Sequence, residues 1–322
     1  MPGLASELRN LIEGKISSRK LKKLIKWLQK RKLLKRNMKC SVCHHRMKIE
    51  DTSRGDKCQW ICRRRANHKE IVRKSIRQWS IFSQSKMALF SWMKFLYRFA
   101  QGLRLRQVDM ITDGIAGSTA TLSKMSSLLR DVCVEAIERR RRKKGQRLGG
   151  RREFVVIDES HFRHKRKFGR GRMAGAWKRK NWVFGMLGVK RKGQRSRPVL
   201  RLVQRRTREE LMPLIVHHVR RGTCVLSDEW RAYRQALTAF GYRHYTVNHS
   251  VEYVNADTGC HTQHIERAWR TYKDTITRLR GNRTEDLLRD HLLLIEWYEW
   301  LGKKHHNGPL GRLLHDVAKK YK

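Results

Sequence analysis

The sequence is poor in acidic residues and has no long apolar run. Its 322 residues include 28 Asp or Glu against 76 Lys or Arg, for a formal net charge of +48, and only 39% of them are hydrophobic. The most apolar window, 87–100, is interrupted by Lys94 and Arg98, so no stretch approaches the roughly 18 uncharged apolar residues of a membrane span. No secretory signal peptide opens the chain. We therefore expect neither a membrane-spanning segment nor secretion.

The excess of basic residues predicts a polyanionic partner. Positive charges at this density repel one another, and binding to phosphates relieves the repulsion and releases counterions. Basic residues occur along the whole chain, which favours nucleic acid over the surface of an acidic membrane. Ten Trp, nine Phe and eight Tyr can still build hydrophobic cores. The length predicts about two domains, at roughly 150 residues each.

Cysteines are few and clustered. Four of the seven occur within 40–62, and in an intracellular protein such clustering predicts metal binding rather than disulfides. Cys40 and Cys43 have the spacing of a knuckle that brings two thiolates to one tetrahedral zinc ion. A set of free buried thiols is the alternative.

The second half of the predicted zinc site has two candidate pairs. Cys58 with Cys62 would complete a four-cysteine site, whereas Cys62 with His68 would complete a site of three cysteines and one histidine. We favour the pair that includes His68, because Trp60 shares a face of a short predicted strand with Cys62 and can support the site from there. The predicted ligands of one structural Zn²⁺ are therefore Cys40, Cys43, Cys62 and His68.

Helical regions flank the predicted zinc ribbon, which we place at 38–83. Residues 1–37 form a basic arm, in which apolar residues recur at helical spacing and lysines fill the other face. These apolar positions are Leu21, Leu24, Ile25 and Leu28. The helix either packs its apolar stripe on a neighbour or contacts DNA, and the pattern favours neither.

Residues 84–138 have the pattern of a helix-turn-helix. A first helix leads into the glycine-containing turn 114–117, after which Ser118 or Thr119 can cap a second helix. We expect DNA contacts from Ser118, Thr119, Thr121 and Lys124. A helical hairpin that binds nothing has a similar pattern and is the alternative.

Six consecutive basic residues, 139–144, are followed by three glycines. This composition predicts a flexible basic linker over 139–152, and in a eukaryotic cell the run predicts localisation in the nucleus. A plain solvated linker is the alternative, and the two interpretations are compatible.

The hydrophobic period changes after this linker. Apolar runs predict strands at 154–157, 182–189, 199–203, 224–226 and around 245–247, while helical periodicity predicts helices at 208–220, 229–240 and from about 261. The order β-β-β-α-β-α-β-α is that of the ribonuclease-H-like fold, an α/β domain with a mixed five-stranded sheet and helices, which we place at 153–302. A last apolar segment, 285–301, is expected to close its core, and 303–322 to form a basic tail.

Three acids stand where this fold can bring them together. Asp158 ends the first predicted strand, Asp228 ends its neighbour in the sheet, and Glu266 lies beside the buried stripe of the late helix. Such carboxylates can hold two Mg²⁺ or Mn²⁺ ions about 3.5–4 Å apart for phosphodiester chemistry. Glu159 and Glu229 adjoin the two aspartates, and only one acid of each pair can serve because neighbouring strand residues point to opposite faces. An acid that ends a strand is otherwise often only a turn or capping residue.

Basic side chains are expected to hold DNA beside these acids. Lys273 follows Glu266 by about two helical turns and returns to nearly the same face. The segment 163–180 contains nine Lys or Arg interleaved with Phe168 and Trp177, and we expect a DNA-holding loop in preference to a disordered hairpin tip. The expected contacts are Arg163, Lys165, Arg166, Lys167, Arg170, Lys178, Arg179 and Lys180.

The succession of motifs resembles a known family. The motifs are VIDES at 156–160, WVFG at 182–185, LSDEWRAY at 226–233, VNHS at 247–250 and HTQHIE at 261–266. In order and spacing they resemble the Merlin-type DNA transposases of eukaryotes and their bacterial insertion-sequence relatives, over roughly residues 38–300.

The resemblance implies a zinc ribbon, a helix-turn-helix and a catalytic domain whose Asp-Asp-Glu triad falls on Asp158, Asp228 and Glu266. Lys273 would be the basic residue after the glutamate. Bacterial relatives can carry a different third residue near the position of Gln263, and His68 stands where the family's ribbon often has a cysteine.

The resemblance further implies cut-and-paste movement of an element bounded by terminal inverted repeats, carried out by a homodimer or larger homo-oligomer. Asp158 would bridge both metal ions, while Asp228 and Glu266 would each hold one. Two rivals differ in activity: a domesticated DNA-binding protein without catalysis, and a structure-selective nuclease of the same fold that cuts but does not join.

The charge generates a first testable prediction. Affinity for duplex DNA is expected to fall steeply with salt, because each phosphate contact adds about 0.9 to the slope of log affinity against log salt. Fluorescence anisotropy with a labelled duplex between low and moderate salt measures the slope. A slope equivalent to one or two contacts would show that most of the basic side chains only face solvent.

Overall fold

The computed structural model describes residues 3–53, 55–64, 68–102, 110, 113–143, 146–162, 182–190, 197–228, 233, 235–246, 263–279 and 284–321. The chain divides into two compact units. Unit 1 comprises 1–133 and 302–322, and unit 2 comprises 134–301. Within the described ranges, no helix combines the length and the apolar composition that crossing a membrane requires.

Unit 1 begins with two helices, α1 (Leu4–Ile12) and α2 (Ser18–Lys30). The hydroxyl of Ser17 accepts a hydrogen bond from the amide of Lys20 and caps α2. Leu24, Ile25 and Leu28 are buried, so the amphipathic helix predicted from their spacing is confirmed. Its apolar stripe is covered within unit 1, as the interpretation requires in which the helix packs on a neighbour.

The segment after α2 forms a small antiparallel sheet with strands β1 (Lys48–Asp51), β2 (Cys58–Cys62) and β3 (Val72–Ser75) in that order. Trp60 on the central strand is buried. Beyond β3, the buried Arg77 binds the carboxylate of Asp56 and donates to the carbonyls of Ser85 and Met87. This arginine therefore fixes the sheet to the segment that leads into the next helix.

Two longer helices follow, α3 (Leu89–Ala100) and α4 (Thr119–Arg141). The hydroxyl of Ser118 accepts from the amide of Thr121 at 3.3 Å, as expected for the residue that caps the second helix. Much of the connection between α3 and α4, including 103–109, lies outside the described residues.

The segment predicted as a basic tail, 303–322, contains a packed helix. Residues Gly308–Lys320 form helix α9, which packs against α1 and α3. Its apolar residues Leu310, Leu313, Leu314 and Val317 are buried, at the spacing of one helical face. The many basic residues of this segment led to the prediction of a tail. The buried face of the helix is determined instead by the spacing of its apolar residues.

Unit 2 is built on a five-stranded sheet. Its strands are β4 (Glu153–Ser160), β5 (Trp182–Lys190), β6 (Arg197–Val203), β7 (Cys224–Ser227) and β8 (Arg243–Thr246), and their order is β6-β5-β4-β7-β8. β4 pairs antiparallel with β5 and parallel with β7. The predicted mixed five-stranded sheet is therefore confirmed.

The helices of unit 2 are α5 (Arg208–His218), α6 (Ala236–Ala239), α7 (Gln263–Leu279) and α8 (Glu285–Trp297), with a π-helical turn at Tyr298–Gly302. α7 packs on β4 and β5, and α8 on β6. Of the helix predicted at 229–240, the structure describes Tyr233 and 235–240, in which α6 is helical. Residues 229–232 and 234 lie outside the described residues.

Part of the predicted linker 139–152 has regular structure. α4 continues through Arg141, and the side chain of Arg141 forms an ion pair with Glu296, which is fully buried. Further along, Leu148 pairs with Val219 in a short parallel bridge. The composition of the segment does not indicate that Arg141 pairs with the buried Glu296.

Glu296 is the centre of a buried charge cluster. It accepts from the amide of Leu200 at 2.8 Å and from Arg201 at 3.0 Å, in addition to its pair with Arg141. Burial, followed by repulsion from Arg201, lowers the pKa of Arg141 to about 8. The guanidinium groups of Arg141 and Arg201 therefore share the carboxylate of Glu296 as their counter-ion.

Glu296→Gln is expected to lower the free energy of unfolding by about 3–5 kcal/mol, because it leaves buried arginine charges without their counter-ion. Urea denaturation followed by circular dichroism measures the change. Asp286→Asn is the control on the same helix: it breaks an exposed pair with Arg289 and should cost less than about 1 kcal/mol. Equal changes in both variants would contradict the interpretation of the buried cluster.

Candidate active site and metal centre

The sheet aligns the first two predicted acids. In the parallel pairing of β4 with β7, Val156 lies opposite Leu226, and Asp158 and Asp228 each follow two residues later. Residues two apart on a strand share a face, so the carboxylate of Asp158 projects on the side of the sheet where Val156 and Leu226 pack under α7. Asp228 directly follows the end of β7, and we infer the same side for it if the alternation continues by one residue. Asp158 lies within β4, which extends to Ser160, rather than at its end as predicted.

The third acid is carried by α7. Ile265 is buried in the core against the sheet, and Glu266, the next residue, is exposed. Burial raises the pKa of Asp158, and the charges of Asp228 and Glu266 raise it further, against hydrogen bonds from Trp269 and Glu159 that lower it. The carboxylates of Asp228 and Glu266 are therefore both close enough to Asp158 to act on it electrostatically.

Glu159 belongs to the opposite face of the sheet. It accepts a hydrogen bond from the hydroxyl of the buried Tyr233, and burial, with the charges of Asp158 and Asp228, raises its pKa to about 8. Of the two adjacent acids on β4, only Asp158 therefore faces α7. Glu229, the neighbour of Asp228, lies outside the described residues.

Asp158 is held through both of its oxygens. The backbone amide of Glu159 donates to Oδ1 at 2.7 Å, and Nε1 of Trp269 donates to Oδ2 at 2.8 Å. Sequence reasoning placed Trp269 only in the apolar stripe of α7, because the partner of an indole N–H depends on the tertiary fold.

Lys273 lies on the same side of unit 2. It is exposed, and its Nζ is 5.8 Å from the ring centroid of Phe162, which follows β4. The ring of Phe162 in turn packs edge-on against Trp269, with centroids 5.7 Å apart. An ammonium group therefore stands beside the strand that carries Asp158.

The other predicted DNA contacts are only partly described. All the basic residues named in 163–180 lie outside the described residues. At the start of α4, Ser118 and Thr119 are exposed, while Thr121 and Lys124 line a cleft of about 460 Å³ together with Lys86 and Ser85.

The four favoured zinc ligands come together in the ribbon. The ligand atoms of Cys40, Cys43, Cys62 and His68 all lie within 4.8 Å of one another. Cys43 Sγ is 3.6 Å from Cys62 Sγ, and His68 Nε2 is 3.3 Å from Cys62 Sγ. Sulfur ligands about 2.3 Å from a tetrahedral zinc ion are about 3.8 Å apart, so the cluster has the dimensions of a zinc site.

Two of these residues, His68 and Cys40, make local hydrogen bonds that favour the state in which each can bind a metal ion. Nδ1 of His68 lies 2.6 Å from the carbonyl oxygen of Glu70, which fixes the tautomer that leaves Nε2 for a metal. Burial opposes ionisation of Cys40, but hydrogen bonds from the backbone of Cys43 and Val42, together with those from the side chains of Cys43 and Cys62, lower its pKa to about 6.

Cys58 is not part of this cluster. It lies on β2 four residues before Cys62, about 13 Å away along an extended strand. Burial raises its pKa to about 11, with help from the charges of Asp56 and Asp51. A thiol that stays protonated is a poor metal ligand.

The two donor sets suit different metals. Thiolates and imidazole fit zinc, whereas three carboxylates fit magnesium or manganese. Burial, with the smaller effect of the charges of Asp228 and Glu266, raises the pKa of Asp158, and a bound divalent cation would offset this cost of ionisation.

Residues 147–282 match the ISXO2-like transposase domain family. The match supports a DDE transposase. It covers less than half of the chain, but it contains Asp158, Asp228 and Glu266. A comparison with curated proteins finds no match. The family is that of DNA transposases with a ribonuclease-H-like catalytic domain that uses divalent metal ions, consistent with the sheet of unit 2.

The cluster in the ribbon generates the next prediction. The purified chain is expected to contain one zinc ion, which His68→Ala should release and Cys58→Ser should retain, because only His68 has its donor atom at the cluster. Elemental analysis of the dialysed variants measures zinc per chain. Retention in His68→Ala with loss in Cys58→Ser would select the four-cysteine set instead.

Proposed function

We propose that this protein is a cut-and-paste DNA transposase of the Merlin type, which binds terminal inverted repeats, cleaves the transposon ends and joins the resulting 3′-hydroxyl to target DNA. The proposal rests above all on one observation. The charges of Asp228 and Glu266 both raise the pKa of Asp158, after the larger effect of its burial, and all three acids lie inside the region that matches a transposase domain.

In this proposal Asp158, Asp228 and Glu266 hold two Mg²⁺ or Mn²⁺ ions. When bound, such ions lower the pKa of an attacking water or hydroxyl and stabilise the leaving oxygen of the phosphodiester. The chain itself fixes the position of Asp158 through two hydrogen bonds. The burial of Asp158 keeps bulk water away from part of the site.

The remaining residues have the role of holding DNA. Lys273, on the same helix as Glu266, is proposed to contact a phosphate of the strand that is cut, as a compact point charge. Thr121, Lys124 and Lys86 are proposed to contact the transposon end from unit 1. The net charge of +48 supports binding to DNA ends. Assembly of two or more copies of the chain and localisation in the nucleus remain predictions.

Asp158→Asn, Asp228→Asn and Glu266→Gln are each expected to reduce cleavage and joining to background and to leave binding of the transposon end within about twofold. The acids hold cations rather than contact bases, so their loss does not remove a contact to DNA. Gel assays with labelled ends measure cleavage, joining and binding on the same preparations.

Asp274→Asn is the matched control, since Asp274 lies on α7 but pairs with Arg278; its activity should equal that of the wild type. A loss of binding as large as the loss of cleavage would contradict the proposal. Joining of a pre-cleaved end separates the rivals: a wild-type protein that cuts without joining would be a nuclease, and one that only binds would be a DNA-binding protein.

A further inference from the structure

We propose that Trp269 is a positioning residue of the candidate active site, which fixes the carboxylate of Asp158 and sets the place of Glu266 relative to it. The inference rests on the proposed function, because it assigns to Trp269 a role in binding the divalent cations. It begins from a hydrogen bond between residues that are 111 positions apart in the sequence.

The hydrogen bonds of Asp158 leave its charge available. Each carboxylate oxygen has two lone pairs, and the amide of Glu159 and the indole of Trp269 occupy one on each oxygen. Both donors are neutral and neither can accept a proton. Among the described residues, these two donors fix the rotation of the carboxylate and leave one lone pair on each oxygen for a cation.

The indole of Trp269 lies against strand β5 because Gly185 has no side chain. Gly185 lies directly opposite Asp158 in the pairing of β4 with β5, and a Cβ on Gly185 would lie 2.4 Å from Cη2 of Trp269. No side chain fits there, so the glycine is needed for close approach rather than for a turn. Its absence of a side chain lets the six-membered ring lie on the backbone of β5.

Aromatic neighbours fix the indole from its other sides. Phe162 and Tyr272 pack edge-on against it, with interplanar angles of 81° and 85°. Trp269 is only 5% exposed. A side chain enclosed in this way has one orientation, so its N–H stays directed at Asp158.

The same contact determines where Glu266 lies. Glu266 precedes Trp269 by three residues on α7, which is about 4.5 Å along the helix axis and nearly one full turn. Docking the indole on Gly185 therefore fixes both the height and the rotation of α7 over β4. Trp269 thus acts on two of the three carboxylates without contacting DNA or metal.

A lysine or arginine could also donate to Asp158, but its charge would neutralise the carboxylate and compete with the cations. A phenylalanine would fill the space and donate nothing. Tryptophan is the side chain that combines a large apolar ring with a neutral N–H donor.

The test is a titration of the zinc-loaded full chain with Mn²⁺, followed by electron paramagnetic resonance in the absence of DNA. Trp269→Phe is expected to weaken Mn²⁺ binding by about 10-fold or more, the usual effect of removing a partner of a metal ligand. The Mg²⁺ concentration needed for half-maximal joining should rise in parallel. Tyr272→Phe, which removes a polar atom from a neighbouring buried ring on the same helix, is the control and should bind Mn²⁺ like the wild type.

Trp269→Phe also shortens the ring, so a second variant keeps its shape. Site-specific replacement of Trp269 by benzothienylalanine, which has sulfur in place of the indole N–H, should reproduce the loss of Mn²⁺ affinity without lowering the melting temperature. If Trp269→Phe does not fold, this variant alone decides the question.

The outcomes separate this inference from the proposed function. If the wild type and Asp158→Asn bind Mn²⁺ equally, the carboxylates do not form the proposed metal site and both ideas fail. If Asp158→Asn loses Mn²⁺ while the variants without the indole N–H bind it like the wild type, the proposed function stands and the role of Trp269 is overturned.

Discussion

The parallel pairing of β4 with β7 is the constraint on which the candidate active site depends. Val156 lies opposite Leu226, so Asp158 and Asp228 reach the same level on the same side of the sheet. A slip of one residue would turn one of the two carboxylates to the opposite face. The side chains of Val156 and Leu226 are completely buried, and their packing under α7 opposes such a slip. The apolar core therefore aligns the acids as well as stabilising the domain.

Much of unit 2 could be predicted from the sequence because its signals are local. The strands are short apolar runs, and the stripe of α7 repeats at helical spacing, so the order of these elements followed directly, whereas β4 extends two residues beyond Asp158, where the sequence predicted its end. The position of Glu266 next to the buried Ile265 followed from the same stripe. In the ribbon, the choice of His68 over Cys58 agrees with the cluster in the structure, since four residues of extended strand separate Cys58 from the other ligands.

What could not be predicted depends on contacts between distant parts of the chain. Arg141 looked like part of a solvated linker, because nothing near it in sequence indicates that Glu296 lies beside it. The C-terminal helix α9 was not predicted because its many basic residues indicated a tail, although the apolar residues of its buried face have ordinary helical spacing. Trp269 was recognised as a core residue, but its hydrogen bond to Asp158 and its contact with Gly185 exist only in the folded domain.

Several buried carboxylates pair with an arginine, and Asp158 differs from them in this respect. Arginine partners occur at Asp56, Glu153, Glu296 and Asp316. Asp158 instead accepts from an amide and an indole, which orient it without neutralising it. In a chain with a net charge of +48, an arginine beside Asp158 would compete with a divalent cation. In the part of the chain that the structure describes, the indole of Trp269, which packs on Phe162, takes the place of such an arginine. These described contacts leave the carboxylate the negative charge that binding a cation requires.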